Sequence, residues 1–142
     1  MEPKKTIPQN VADIIPHFQY IVTKENLDAF IPAIEKLEQQ LAKCPKFYET
    51  DGMKEHPAIF HYFYGGTDMY ICEYEPKEEK MFGFIILNGD LQNSEWGYIS
   101  LAEIKFSKYL NIDYHFEEQS IEAALYKAYP NHYKKPKSLK NN

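Results

Sequence analysis

One stretch restricts the possible fold more than any other: AIFHYFYGGTDMYICEYE, residues 58–75. Residues 58–64 alternate in polarity and are dense in aromatic side chains, as expected of a strand, and residues 68–75 have a similar composition. Gly65 and Gly66 separate the two segments and are predicted to adopt the positive φ values of a tight hairpin turn. The stretch therefore predicts two adjacent antiparallel strands.

The chain downstream of the hairpin predicts more strands and two short helices. Residues 81–87 are apolar on both faces, which is typical of a strand covered on both sides, and residues 95–99 predict a fourth strand. Ser100 and Glu103 have the spacing of a capping box, which predicts a helix that begins directly after this strand. The remaining predicted elements are a short extended piece and a helix, at residues 113–116 and 120–128.

The N-terminal third predicts helices. Asn10 is a suitable N-cap for one short helix, which Pro16 would end. Thr23 would cap a longer amphipathic helix, and Pro32 would either kink that helix or open a second one after a break at Ile31. The apolar stripe of this helix has three- and four-residue spacings and comprises Leu27, Phe30, Ile31, Ile34, Leu37 and Leu41.

These elements predict a single α+β domain over residues 1–130, helical over residues 10–43 and β-rich over residues 58–128. The predicted architecture is an antiparallel sheet of about four strands. An N-terminal helix covers one face, and short helices lie at the C-terminal end. Residues 131–142 are rich in Lys and Asn and are expected to form a flexible tail.

Charge and motifs argue against several function classes. The net charge is −5 and all 16 basic residues are Lys, so the Arg side chains that bind phosphate or guanine in bidentate fashion are absent. Phosphate-binding glycine loops and nucleophile elbows are also absent. Cys44 and Cys72 lack a metal-binding or redox spacing, so reduced thiols are expected, with no metal and no cofactor. Lys4 and Lys5 are not followed by an apolar segment, and no apolar run reaches the length of a membrane span, so a cytoplasmic protein without membrane contact is expected.

Three kinds of candidate site remain. The first is an aromatic and acidic sheet surface that would bind another protein, comprising Tyr70, Glu73, Tyr74, Glu75 and Tyr98. The second would bind single-stranded nucleic acid, with tyrosines stacking on bases and a lysine cluster contacting phosphates through Lys134, Lys135, Lys137 and Lys140. The third is a hydrolytic pair that joins Glu73 or Glu103 to His61 or His115. No residue is assigned as catalytic, because each of these carboxylates and histidines is also explained by a structural or solvated role.

A series of motifs extends over residues 58–125. An aromatic strand that ends in acidic residues is followed by a Phe-Gly strand, a Gly-Tyr-x-Ser-Leu-x-Glu turn into a helix, and an Asp-x-x-Phe-Glu segment. These features fall on Tyr70, Glu73, Tyr74, Phe82, Gly83, Gly97, Tyr98, Ser100, Leu101, Glu103, Asp113, Phe116 and Glu117. In this order and spacing they resemble domain of unknown function 2958, a family of small bacterial proteins carried on plasmids and conjugative elements. The resemblance implies an accessory protein of a mobile element and supplies no catalytic residues.

The favoured hypothesis is therefore a non-enzymatic accessory or protein-binding domain of a bacterial mobile element, whose partner is another protein. Gly83, Gly97, Ser100 and Glu103 are expected to have structural roles in it. A single-stranded nucleic-acid-binding module and a small hydrolase that uses Glu and His are the alternatives.

Overall fold

The computed structural model describes residues 6–139 and has an α+β fold, as predicted. Its helices are α1 (Gln9–Ala12), α2 (His17–Glu25), α3 (Leu27–Lys43), α4 (Leu101–Phe106) and α5 (Ile121–Ala128). Its strands are β1 (Pro57–Ala58), β2 (Phe60–Tyr64), β3 (Thr67–Glu75), β4 (Lys80–Ile86), β5 (Glu95–Ser100), β6 (Asn111–Ile112) and β7 (Gln119–Ser120). None of the helices in this part of the chain has both the length and the apolar character needed to span a bilayer.

The main sheet has the strand order β5-β4-β3-β2-β6, and every neighbouring pair is antiparallel. The four predicted strands are its core, and they follow one another as a meander. In the hairpin turn, Gly65 has the predicted positive φ of 52°, whereas Gly66 does not. Glycine is needed at Gly66 for a different reason: a Cβ there would lie 2.8 Å from the backbone nitrogen of Gly89.

Two short strand pairs complete the β structure. The extended piece predicted at residues 113–116 lies a few residues earlier, as β6, and pairs with β2 next to Tyr62 and Phe63. A two-residue strand has too few positions to show an alternating pattern, so the sequence could not locate it. Strand β7 pairs with β1 in a separate two-stranded sheet.

The N-terminal helices differ from the prediction in where the chain breaks. Thr23 lies within α2, where its hydroxyl donates to the carbonyl of Gln19 at 2.7 Å, so it is not an N-cap. The break falls at Asn26, and α3 continues through Pro32. Pro32 is exposed, so the carbonyl that its missing N–H leaves without a helical partner lies on the solvent side of α3. Pro16, predicted to end a helix, precedes the first residue of α2.

Each face of the main sheet has its own apolar core. Helices α1 and α3 cover one face, and the buried hydroxyl of Tyr62 on β2 donates to the carbonyl of Ile14 at 2.6 Å. Helix α5 and Phe116 cover the other face. Strand β4 contributes Met81 to the first core and Ile86 to the second. This two-sided burial explains why residues 81–87 are apolar on both faces.

The C-terminal segment makes defined contacts as far as it is described. Tyr133 packs against the second core, and Ser138 hydrogen-bonds to Glu55. Lys140 of the predicted lysine cluster lies outside the described residues. The flexibility of residues 131–142 stays a prediction.

Candidate functional site

The predicted protein-binding surface on β3 is largely buried. Tyr70, Tyr74 and Glu73 are all buried, with Glu73 only 2% exposed, and Glu75 is half-buried. The reason is topological, because β3 has a neighbour on each side and a core on each face. Of the five predicted residues, Tyr98 on β5 is the one that is exposed, with a relative exposure of 51%.

A β-bulge in β3 determines the direction of Glu73. Ile71 pairs with Gly83 and Glu73 pairs with Phe82, so Cys72 is an extra residue in β3. Gly83 is required at this point, because a Cβ there would lie 2.0 Å from the carbonyl oxygen of Tyr70. Gly83 therefore has a structural role, because only a residue without a Cβ allows β3 and β4 to approach this closely.

The Glu73 carboxylate organises the loop of residues 46–52. It accepts hydrogen bonds from the backbone N–H groups of Tyr48 at 2.9 Å and Thr50 at 3.1 Å, and from the hydroxyl of Thr50. Tyr48 has a φ of 74°, in the left-handed region that non-glycine residues rarely adopt. Glu73 thus compensates for an unfavourable backbone conformation, and it does so from inside the protein.

This loop brings an aromatic group to the outermost strand of the sheet. The ring of Tyr98 lies 5.1 Å from that of Phe47 and 4.9 Å from that of Phe82, and Phe82 stacks on Trp96 at 5.8 Å. Tyr48 is 68% exposed and Trp96 is 37% exposed. Partial desolvation, and then the neighbouring Tyr48 hydroxyl, raise the pKa of Tyr98. These five residues, Phe47, Tyr48, Phe82, Trp96 and Tyr98, are called the aromatic edge below.

The backbone beside the aromatic edge can accept another strand. Leu101 donates its N–H to the carbonyl of Glu79 at 2.9 Å across the end of the β4–β5 pair. Hydrogen-bonded and non-hydrogen-bonded pairs alternate in antiparallel sheets, so every second residue of β5 points its backbone groups at β4. The N–H and C=O groups of Trp96 and Tyr98 therefore point away from β4.

The opposite edge of the sheet is closed by a side chain. The amide of Gln19 donates to the carbonyl of Ile112 at 2.8 Å and accepts from its N–H at 2.7 Å. This contact satisfies the outward backbone groups of Ile112 on β6, as a neighbouring strand would. The two edges of the sheet therefore differ, and the open one carries the exposed Trp96 and Tyr98.

The residues of the hydrolase hypothesis do not come together. Between the described residues, no hydrogen bond joins Glu73 or Glu103 to His61 or His115. Glu103 belongs to the capping box of α4. His115 is exposed and lines a groove of about 620 Å³ between α3 and residues 114–117. The structure therefore gives these Glu–His pairs no support as a hydrolytic site.

His61 has other acidic partners. Its ring nitrogens lie 2.8 Å from a carboxylate oxygen of Asp68 and 3.4 Å from one of Asp113, and its ring stacks on Tyr70 at 4.6 Å. An imidazole can donate to both carboxylates only when both of its nitrogens carry protons. The cluster links β2, β3 and the segment after β6. Within residues 6–139 no group of three or more potential ligands is arranged to hold a metal ion.

The other predicted residues have structural or exposed positions. Ser100 and Glu103 form the predicted capping box, with the Glu103 N–H 3.0 Å from the Ser100 hydroxyl. Gly97 lies opposite Gly83, and a Cβ at Gly97 would make an ordinary contact of 3.5 Å. Three residues of the lysine cluster are exposed, namely Lys134, Lys135 and Lys137. The chain matches no protein-family model, no curated protein and no solved structure.

Proposed function

We propose that this protein is a protein-binding module that adds an extended segment of its partner to β5. The observation that carries the proposal is the coincidence of the aromatic edge with the open edge of the sheet. Backbone hydrogen bonds to an added strand supply affinity in such complexes, and side chains of alternate residues supply specificity. Trp96 and Tyr98 offer both kinds of contact.

The aromatic side chains have the properties of interface anchors. Tyr and Trp are enriched among the residues that dominate binding energy, because they bury a large area with few rotatable bonds. Trp96 and Tyr98 project from the same face of β5 as alternate residues. The ring of Phe82 packs against both of these rings. A partner strand would cover the exposed parts of both rings.

The loop of residues 46–52 is preorganised for contact. Backbone strain at a non-glycine residue persists only where surrounding interactions impose it, and such strain is concentrated at functional sites. Glu73 imposes it here by binding the N–H groups of Tyr48 and Thr50. Because the loop is ordered before a partner arrives, less conformational entropy is lost on binding.

The charge of the surroundings favours a basic partner segment. The chain carries a net charge of −5. Glu73 and then Asp51 lie close enough to raise the pKa of Tyr98, after desolvation and Tyr48, and Glu95 at the start of β5 is exposed. The proposed partner is thus a protein with an extended segment that combines apolar and Lys or Arg residues. We further propose, from the family resemblance alone, that the protein described here is an accessory protein of a plasmid or conjugative element.

Two variants at one position test the proposal. Tyr98→Ala removes the side chain, whereas Tyr98→Pro also removes an N–H that points away from β4 and that the sheet does not use. The readout is quantitative affinity capture of partners from host lysate, with Tyr109→Ala as the control, since Tyr109 is an exposed tyrosine outside β5. We expect Tyr98→Ala to weaken capture at least about ten-fold, Tyr98→Pro to abolish it, and the control to leave it unchanged.

Two results would contradict this function. Full capture by both Tyr98 variants would show that β5 is not the contact. Equal losses in Tyr98→Ala and Tyr109→Ala would show that capture depends on exposed tyrosines in general. Circular dichroism of each variant confirms that the fold is retained.

One observation favours single-stranded nucleic acid as a second candidate partner. Three exposed lysines of the C-terminal segment, Lys134, Lys135 and Lys137, follow Tyr133, whose ring contacts Phe84, a neighbour of Trp96. Aromatic stacking combined with lysine contacts is how many modules bind single strands. Fluorescence anisotropy of a labelled oligonucleotide tests this, because phosphate binding must weaken steeply with salt and on changing these lysines to Gln. Insensitivity to both changes would exclude this candidate.

A further inference from the structure

We propose that residues 130–139 form a displaceable strap that covers the Trp96 end of the aromatic edge and limits a partner's access to it. This C-terminal strap rests on the proposed function for its biological consequence, because its release would matter only if the aromatic edge binds a partner. Its geometry is independent of that function.

The first anchor of the strap lies beside the start of β5. The hydroxyl of Tyr133 lies 2.8 Å from that of Ser94, two residues before Trp96. The ring of Tyr133 contacts Phe84 at 6.0 Å, and Phe84 in turn contacts Trp96 at 5.4 Å. The strap thus contacts a side chain that in turn contacts Trp96.

The second anchor lies next to another neighbour of Trp96. The N–H and hydroxyl of Ser138 donate to the carboxylate of Glu55, at 3.1 and 2.6 Å. The next residue, His56, contacts the ring of Trp96 at 4.5 Å. Trp96 therefore contacts a neighbour of each anchor, Phe84 for the first and His56 for the second. The four residues between the anchors, 134–137, connect these two positions.

The contacts of the second anchor suit a reversible attachment. It consists of hydrogen bonds from one serine, and the neighbouring lysines of the strap are exposed, so little apolar area is buried there. Segments with few buried apolar contacts open at low free-energy cost. Glu55 also accepts from the hydroxyl of Ser120 at 2.6 Å, at the N-cap of α5, so it keeps a hydrogen-bond donor when Ser138 leaves. The structure therefore allows the strap to detach without unfolding of the core.

Trp96 is the single tryptophan of the chain and reports directly on the strap. Ser138→Glu would place a second carboxylate against Glu55 and detach the second anchor by charge repulsion. The matched control is Lys135→Glu, which changes an exposed residue of the same segment to the same side chain. Quenching of Trp96 fluorescence by acrylamide measures access in the full chain, without any partner.

We expect Ser138→Glu to raise the quenching constant at least about two-fold, together with faster amide exchange over residues 134–139, and Lys135→Glu to change neither. A second variant, Tyr133→Phe, removes the hydrogen bond of the first anchor and should give a smaller increase in quenching. If the quenching constant of Trp96 in Ser138→Glu equals that of the unaltered chain, the proposal of a displaceable strap is overturned. Increased quenching with unchanged partner capture would overturn the proposed limit on a partner's access, whereas the proposed function itself fails only if the Tyr98 variants keep full capture.

Discussion

Replacement of Glu73 by Gln tests whether this residue stabilises the fold or contacts a partner. Its carboxylate accepts three hydrogen bonds, from the two N–H groups and one hydroxyl of Tyr48 and Thr50. A Gln amide has one oxygen and one NH₂ group, so one of these donors would face another donor. Loss of one charge-assisted bond and one unsatisfied buried N–H should together lower the free energy of unfolding by about 3–5 kcal/mol.

Glu75 on the same strand supplies a matched control with the opposite expectation. Its Oε2 is buried and has no hydrogen-bond partner in the part of the chain that the structure describes. Replacement of Glu75 by Gln removes the carboxylate charge, and no hydrogen-bond donor stabilises that charge at Oε2. The free energy of unfolding of Glu75→Gln should therefore be unchanged or raised, by up to about 1 kcal/mol.

Urea denaturation of the unaltered chain and the two variants measures these differences, followed by far-ultraviolet circular dichroism and by Trp96 fluorescence. Coincidence of the two transitions establishes two-state unfolding. The reasoning is refuted if Glu73→Gln lies within about 0.5 kcal/mol of the unaltered chain, or if both variants lose the same stability. Partner capture reduced without any loss of stability would return Glu73 to the binding role that its sequence position suggested.

Three further predictions concern packing, thiols and pH. Gly83→Ala should lower the free energy of unfolding by at least about 3 kcal/mol or prevent folding, because its Cβ would lie 2.0 Å from a backbone oxygen. Gly97→Ala, across the strand pair, should lower it by less than about 1 kcal/mol. Thermal unfolding of the two variants measures the difference. Burial raises the pKa of Cys44 and of Cys72 to about 12. A thiol reagent should therefore modify both cysteines quickly in denaturant and slowly in the native protein. Rapid modification of the native protein would contradict the burial of these thiols. Hydrogen bonds from Ser120 and Ser138 lower the pKa of Glu55 from its ordinary value of 4.5. The ionised Glu55 carboxylate therefore stabilises the folded protein at pH values above 4.5, and this contribution is lost as the pH falls through the lowered pKa of the folded state. Acrylamide quenching of Trp96 should accordingly rise only in that acid range; a rise near neutral pH would point to another group.

The sequence determined the elements whose signals are local. Alternating aromatic residues and paired glycines located the β2–β3 hairpin, and a strand apolar on both faces indicated that β4 would be covered on both sides. The capping box of Ser100 and Glu103 fixed the start of α4. Each of these patterns relates residues only a few positions apart, whose geometry is set by the period of a helix or strand. The α+β class followed from them.

Only the tertiary structure decided which side chains reach the surface. Tyr74 and Glu73 lie in a strand that carries polar and aromatic residues, but helices and loops distant in the chain bury both. The left-handed Tyr48 depends on a carboxylate 25 residues away, and the closed edge at Ile112 depends on an amide 93 residues away. Burial and edge exposure are properties of which segments meet in space, and a chain of this length allows many such meetings. The aromatic edge therefore becomes visible only in the folded protein, where the loop of residues 46–52 and β5 lie side by side.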